Sequence, residues 1–67
     1  MYRISAERPA VSKLISSVYT DDYESALRIY EGANKRSKAF PDPVIISLYL
    51  EDGTLHKRNT VNAEVAK

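Results

Sequence analysis

The side chain best suited to catalysis in this sequence is that of His56. It is the single histidine of the chain, and a nucleophilic serine or threonine would need it as a base. It stands in a predicted strand, directly before Lys57 and Arg58. We therefore expect His56 to be an exposed strand residue without a catalytic role, and we expect the protein not to be an enzyme.

A second group that could do chemistry is the acidic cluster of Asp21, Asp22 and Glu24. Carboxylates at this spacing can bind a metal ion or act as a general acid and base. They also stand where a helix is predicted to begin, and acidic side chains there cap a helix and suit its dipole. Cysteine is absent, and the two glycines stand apart rather than in a phosphate-binding loop. We therefore predict no catalytic site, no metal and no cofactor.

The longest predicted element is a helix between residues 20 and 40. Apolar side chains recur there at helical spacing and form one stripe, which consists of Tyr23, Ala26, Leu27, Tyr30 and Ala33, with Ile29 beside it. Asp21 is the predicted N-cap, with Thr20 as the alternative. The helix ends near Gly32 or continues to about Arg36. We expect Leu27 to be almost fully buried against Ile46.

The remaining stretches predict a sheet. Residues 2–5 alternate between apolar and polar side chains, and every second residue from Val44 to Leu50 is apolar. Residues 11–19 have helical spacing but are rich in serine and β-branched residues, so we predict a strand and keep a helix as the alternative. The predicted fold class is a small two-layer α+β domain in β-β-α-β-β order, with three or four antiparallel strands and one helix across them. The alternative fold is a helical hairpin followed by a C-terminal β-hairpin.

The dipeptide Asp52-Gly53 predicts the hairpin turn before a last strand at residues 54–60. A two-residue loop would place Tyr49 opposite His56, whereas a three-residue bulged loop would shift this register by one. Residues 61–67 have no clear partner, and we expect them to be a frayed tail of the single domain that spans residues 1–67.

Composition excludes several classes of protein. The 67 residues carry a formal net charge of +1, which argues against a strongly basic nucleic-acid binder. No apolar run approaches the roughly 20 residues of a membrane-spanning helix, and the first residues lack the apolar stretch of a signal peptide. We therefore expect a cytoplasmic protein without a membrane partner. A chain this short buries only about 60% of its unfolded surface, so a homodimer would add useful burial.

A nucleic-acid site is the alternative functional hypothesis. Three basic residues stand near the end of the predicted helix and another on the last strand: Lys35, Arg36, Lys38 and Lys57. Together they would form a basic patch for phosphate groups if they met on one side of the fold.

The preferred hypothesis is a protein-binding surface. If Val44 and Ile46 face the helix, then Ile45 and Tyr49 face away from it, beside His56 and Arg58. Tyrosine and arginine are typical of protein interfaces. The size and element order are similar to those of small phage-encoded proteins that bind host enzymes, a resemblance in outline that transfers no residue. It implies an interaction or regulatory module, such as a phage or mobile-element accessory protein, whose partner is a host protein or a second copy.

Overall fold

The computed structural model describes residues 1–63, in which one helix packs on a four-stranded antiparallel sheet. The elements are β1 (Tyr2–Arg8), β2 (Lys13–Thr20), α1 (Tyr23–Ser37), β3 (Val44–Tyr49) and β4 (Leu55–Val61). A short 3-10 turn at Pro9–Val11 joins β1 to β2. The strand order across the sheet is β2-β1-β3-β4, so β1 and β3 are central. The predicted α+β class and its β-β-α-β-β order are confirmed.

The ambiguous residues 11–19 contribute a strand. β2 pairs antiparallel with β1 over its whole length, from Tyr2 opposite Thr20 at one end to Arg8 opposite Lys13 at the other. One residue of β2, Ile15, has no partner in β1, because the register shifts between Ala6 and Glu7. Such a β-bulge bends the strand and changes which residues face each side. The helical-hairpin alternative is therefore wrong.

Helix α1 begins one residue later than the sequence suggested. Its N-cap is Asp22, and neither Asp21 nor Thr20 takes that place. The backbone amide and the hydroxyl of Ser25 donate to the Asp22 carboxylate at 2.9 and 2.8 Å. These hydrogen bonds hold the pKa of Asp22 below its usual value. The helix continues through Gly32, so the longer of the two predicted helices is confirmed.

The core lies between α1 and the central strands. Its buried apolar residues in the sheet are Ile4, Ala6, Val44, Ile46, Leu48 and Val61. The buried side chains of the helix are small, namely Ala26, Ala33 and Ser37. Leu27 packs at the margin of this cluster and is half-buried. The prediction that Leu27 is almost fully buried is therefore wrong. Small side chains let the helix backbone approach the sheet closely, and the larger ones pack around that contact.

An ion pair holds the chain between α1 and β3. The Nε of Arg8 lies 3.1 and 3.0 Å from the two carboxylate oxygens of Asp42, and a second guanidinium nitrogen also contacts this carboxylate. The same guanidinium lies 4.9 Å from the centre of the Phe40 ring. Hydrogen bonding to Arg8 is the main reason why the pKa of Asp42 is lowered, and it raises the pKa of Arg8 in turn.

The end of β4 is also fixed to this segment. Val61 is buried, and the side-chain amide of Asn62 donates to the carbonyl oxygens of Ser37 and Phe40, both at 3.0 Å. Asn62 has a φ of 62°, a left-handed conformation that asparagine tolerates better than most residues. Val61 and Asn62 are thus held by the fold, contrary to the prediction that the chain frays from residue 61. Residues 64–67 lie outside the described residues.

We expect Ile46→Ala to lower the free energy of unfolding by about 2–5 kcal/mol, because it leaves a cavity in the core. Ile46 is fully buried. Ile45 precedes it on β3 but faces the other side of the sheet and is half-buried, so Ile45→Ala is the matched control. Urea unfolding followed by circular dichroism measures both losses, and that of Ile45→Ala should be clearly smaller. Equal losses would show that the core extends to both faces of β3.

We also expect part of the stability to be lost in acid through Asp42. Its pKa is lower in the folded chain than in the unfolded chain, so the unfolded chain binds more protons as the pH falls. The stabilisation is complete above the ordinary carboxylate pKa of about 4 and disappears as the pH falls through the folded pKa. The difference in Tm between wild type and Asp42→Asn should therefore shrink in acid. Asp21→Asn, which removes a charge at an exposed site, is the control and should show no comparable change.

Candidate protein-interaction surface

No element of residues 1–63 covers the sheet face opposite α1. We call this surface the open face. The strand registers assign to it Arg3, Ser5 and Glu7 of β1, Leu14, Ser17 and Tyr19 of β2, Ile45, Ser47 and Tyr49 of β3, and Leu55, Arg58 and Thr60 of β4. Neighbours in the registers form three rows that cross all four strands, and each row has a different chemistry.

The first row combines aromatic, cationic and aliphatic side chains. Arg3 pairs with Tyr19 on one side and with Tyr49 on the other, and Tyr49 pairs with Leu55. The guanidinium of Arg3 lies 4.4 Å from the centre of the Tyr49 ring, at the distance of a cation–π contact. Tyr19 is 59% exposed and Leu55 is 44% exposed. We call these four residues the aromatic row.

An open cleft of about 350 Å³ lies beside the aromatic row. Arg3, Tyr19 and Tyr49 line it together with Glu51 and Gly53 of the hairpin turn. Both the guanidinium and the two tyrosine rings are therefore accessible from one side.

The other two rows are more polar. The middle row consists of three serines and one arginine, Ser17, Ser5, Ser47 and Arg58, and the third consists of Leu14, Glu7, Ile45 and Thr60. The open face thus carries two arginines and one glutamate. Its apolar residues stand at opposite ends of the strands, with hydroxyl groups between them.

Three of the four residues predicted to bind a partner share the open face. Ile45 and Tyr49 project from β3, where both are half-buried, and Arg58 is exposed on the adjacent β4. His56 lies on the helix side of the sheet, where its Nε2 is 2.8 Å from the hydroxyl of Tyr23. The prediction that His56 stands beside Tyr49 on this face is therefore wrong.

His56 changes side because of the hairpin geometry. The turn contains three residues, and Tyr49 pairs with Leu55 rather than with His56. Gly53 in this turn has a φ of 89°, which glycine adopts without steric cost. The register then shifts after Tyr49 and leaves His56 as an extra residue in β4. The three-residue loop that the sequence offered as the alternative is the one that forms.

The basic residues predicted for nucleic acid lie near the end of α1 and on the edge strand β4. Lys57 lies on the helix side of the edge strand β4, opposite Leu48. Arg36 borders a cleft of about 230 Å³ with Ile15 of the other edge strand, β2. Lys35 and Lys38 are exposed near the end of α1, and Arg58 faces the open side of the sheet. A nucleic-acid site on these residues stays a prediction.

The residues first considered for chemistry have structural partners. Asp22 caps α1, and His56 contacts Tyr23. Within residues 1–63, no group of three or more histidine, cysteine, aspartate or glutamate side chains could hold a metal ion. In the same part of the chain, no helix has the length and apolar character needed to cross a membrane.

Sequence reasoning missed Arg3 and Tyr19. Both stood in stretches for which a strand was predicted, and the alternation in residues 2–5 already set Arg3 apart from Ile4. What was missing was the position of β1 between β2 and β3, which brings Arg3 between the two tyrosines. Local patterns do not encode which strands become neighbours.

Comparison with known proteins gives no information on the function of this chain. No protein-family model, curated protein or solved structure matches it. The open face, with its aromatic row, is the surface on which a functional proposal can be built.

We expect this protein not to bind nucleic acid tightly through Lys35 and Arg36, because a formal net charge of +1 gives the chain little attraction for phosphate groups. Gel-shift titrations with duplex and single-stranded oligonucleotides at low ionic strength test this, with Lys35→Ser/Arg36→Ser as the comparison. Wild type and variant should behave alike. Tight binding that weakens steeply with salt and disappears in the variant would favour a phosphate site at the helix end.

Proposed function

We propose that this protein is a non-enzymatic interaction module that binds another protein through its open face. The observation that carries this proposal is the aromatic row, in which Arg3 lies between two tyrosines on an uncovered sheet. Tyrosine and arginine are enriched among the residues that contribute most to protein binding. A tyrosine offers a large apolar ring together with a hydroxyl, so it can exclude water and still form a hydrogen bond.

The charges of the open face indicate the chemistry of the partner. Among the strand residues of this face, Arg3 and Arg58 outnumber the one acid, Glu7. An arginine can bind a carboxylate through two parallel hydrogen bonds. The tyrosines and Leu55 would meet apolar side chains next to that carboxylate. The partner surface that fits best is therefore an acidic and apolar patch of a folded protein or peptide.

The proposal includes the cytoplasmic location and the regulatory role that were expected from the sequence. A cytoplasmic regulator of this size would act by occupying a surface of its partner, as an accessory protein of a phage or mobile element does with a host protein. This mode of action needs no catalytic group, and the open face provides its contact area. A solvated face gains little from Ile45 and Tyr49 in an isolated monomer, whereas an interface uses both.

We expect Tyr49→Ser/Arg58→Ser to weaken partner binding by about 2 kcal/mol or more, which is about a thirtyfold rise in Kd. The immobilised wild type and variant are compared by quantitative capture from cell extract, and the Kd of each captured protein is then measured with purified components. Glu31→Ser/Lys35→Ser, at exposed sites on the helix, is the matched control.

The control should retain the captured protein and the open-face variant should lose it, while circular dichroism shows that both remain folded. A partner that both variants retain equally would place the interface elsewhere. A partner lost only in the helix variant would assign binding to α1.

A further inference from the structure

The two edge strands of the sheet expose different kinds of side chain to solvent. β4 presents five consecutive polar residues at positions 56–60, including Lys57 and Arg58. Charged side chains on an edge discourage pairing with another chain. β2 has one charged residue, Lys13, at its end. Its four large apolar residues, Leu14, Ile15, Val18 and Tyr19, are between 37% and 59% exposed. β2 is thus an eight-residue edge with apolar side chains on both faces.

The sequence of β2 is self-complementary. Read in either direction, KLISSVYT has a polar residue, two apolar residues, two serines, two apolar residues and a polar residue. Antiparallel pairing with a second copy reverses one of the two strands. Leu14 near one end of the strand can then meet Tyr19 near the other end, with the serines close to the centre. Matching of this kind is expected at a two-fold symmetric interface, where one surface contacts its own copy.

Because of the bulge in β2, the residues that become opposite each other in such a pairing lie on the same side of the sheet. A two-fold axis at Ser17 places this residue opposite itself, and Ile15 remains unpaired, as it does against β1. The resulting pairs are Ser17 with Ser17, Ser16 with Val18, and Leu14 with Tyr19. Leu14 and Tyr19 both lie on the open face, and Ser16 and Val18 both lie on the helix side. Without the extra residue, Leu14 would instead meet Thr20.

We propose that two copies of this chain pair antiparallel through β2, about a two-fold axis at Ser17, and form one continuous eight-stranded sheet. A formal net charge of +1 per chain causes little repulsion between the copies. The axis is perpendicular to the sheet, because this is the rotation that makes neighbouring strands antiparallel. Both helices therefore lie on one side and both open faces on the other.

This dimer extends the open face. At the axis, Tyr19 of one copy meets Leu14 of the other, so each aromatic row continues into the row that contains Leu14, Glu7 and Ile45 in the second copy. The result is an uncovered sheet face of eight strands, on which the aromatic row of each copy continues into a row of the other. The pairing depends on β2 alone. It is therefore independent of which partner binds the open face.

A cysteine at the axis provides a direct test. The chain has no cysteine, so Ser17→Cys introduces a single thiol. Residues directly opposite each other in antiparallel strands have Cβ atoms about 4.5–5.5 Å apart, close to the separation that a disulfide bridges. We expect Ser17→Cys to form a covalent dimer under mild oxidation on a non-reducing gel. Thr60→Cys, on the open face of the other edge strand, is the matched control and should remain monomeric. Equal cross-linking of both variants, or none with Ser17→Cys, would overturn the proposal.

Oligomeric state provides a second test without a cross-link. Sedimentation equilibrium should show a dimer for wild type, a monomer for Leu14→Lys and a dimer for Leu55→Lys. These leucines are 58% and 44% exposed on the two edge strands, so both variants should fold, which circular dichroism verifies. A wild-type chain that remains monomeric at all concentrations would contradict β2 pairing. So would a dimer that Leu14→Lys leaves intact or that Leu55→Lys disrupts.

Discussion

The close contact between α1 and the two central strands constrains the rest of this structure. Ala26 and Ala33 meet the sheet with single methyl groups, so the helix lies near the backbone of β1 and β3. A helix is about 10–12 Å across, whereas four strands spaced about 4.8 Å apart occupy about 19 Å. One helix can therefore cover the middle of this sheet but not its edges. The exposure of β2 and β4 follows from the width of the helix.

The two uncovered edges are stabilised in different ways. On β4, His56 contacts Tyr23 and Asn59 donates to Asn34, so polar bridges connect this edge to α1. On β2, Ile15 borders a cleft under the end of the helix. Polar bridges connect β4 to the helix, whereas the large apolar side chains of β2 are exposed among residues 1–63. The asymmetry thus assigns different roles to two strands at equivalent positions in the fold.

Sequence patterns predicted the elements that depend on local periodicity and failed where one residue changes the outcome. The spacing within α1 and the alternation in β3 are strong enough to identify both elements. The side on which His56 lies depends on whether the turn has two or three residues, and a strand shifted by one residue exposes the opposite face. The helical stripe was also correct, but its most buried members are Ala26 and Ala33 rather than Leu27, because close packing on the sheet favours small residues.

The middle of the open face determines what kind of contact this face can make. A permanent second layer needs a contiguous apolar surface, and Ser5, Ser17 and Arg58 interrupt it between the two apolar ends. The chain can therefore expose this face to water without a large apolar patch. Arg3 already packs on the Tyr49 ring, so it loses less conformational freedom when a partner binds than a free arginine would. A face that is polar at its centre and ordered at its aromatic end suits a partner that binds and dissociates, rather than a permanent layer of the fold.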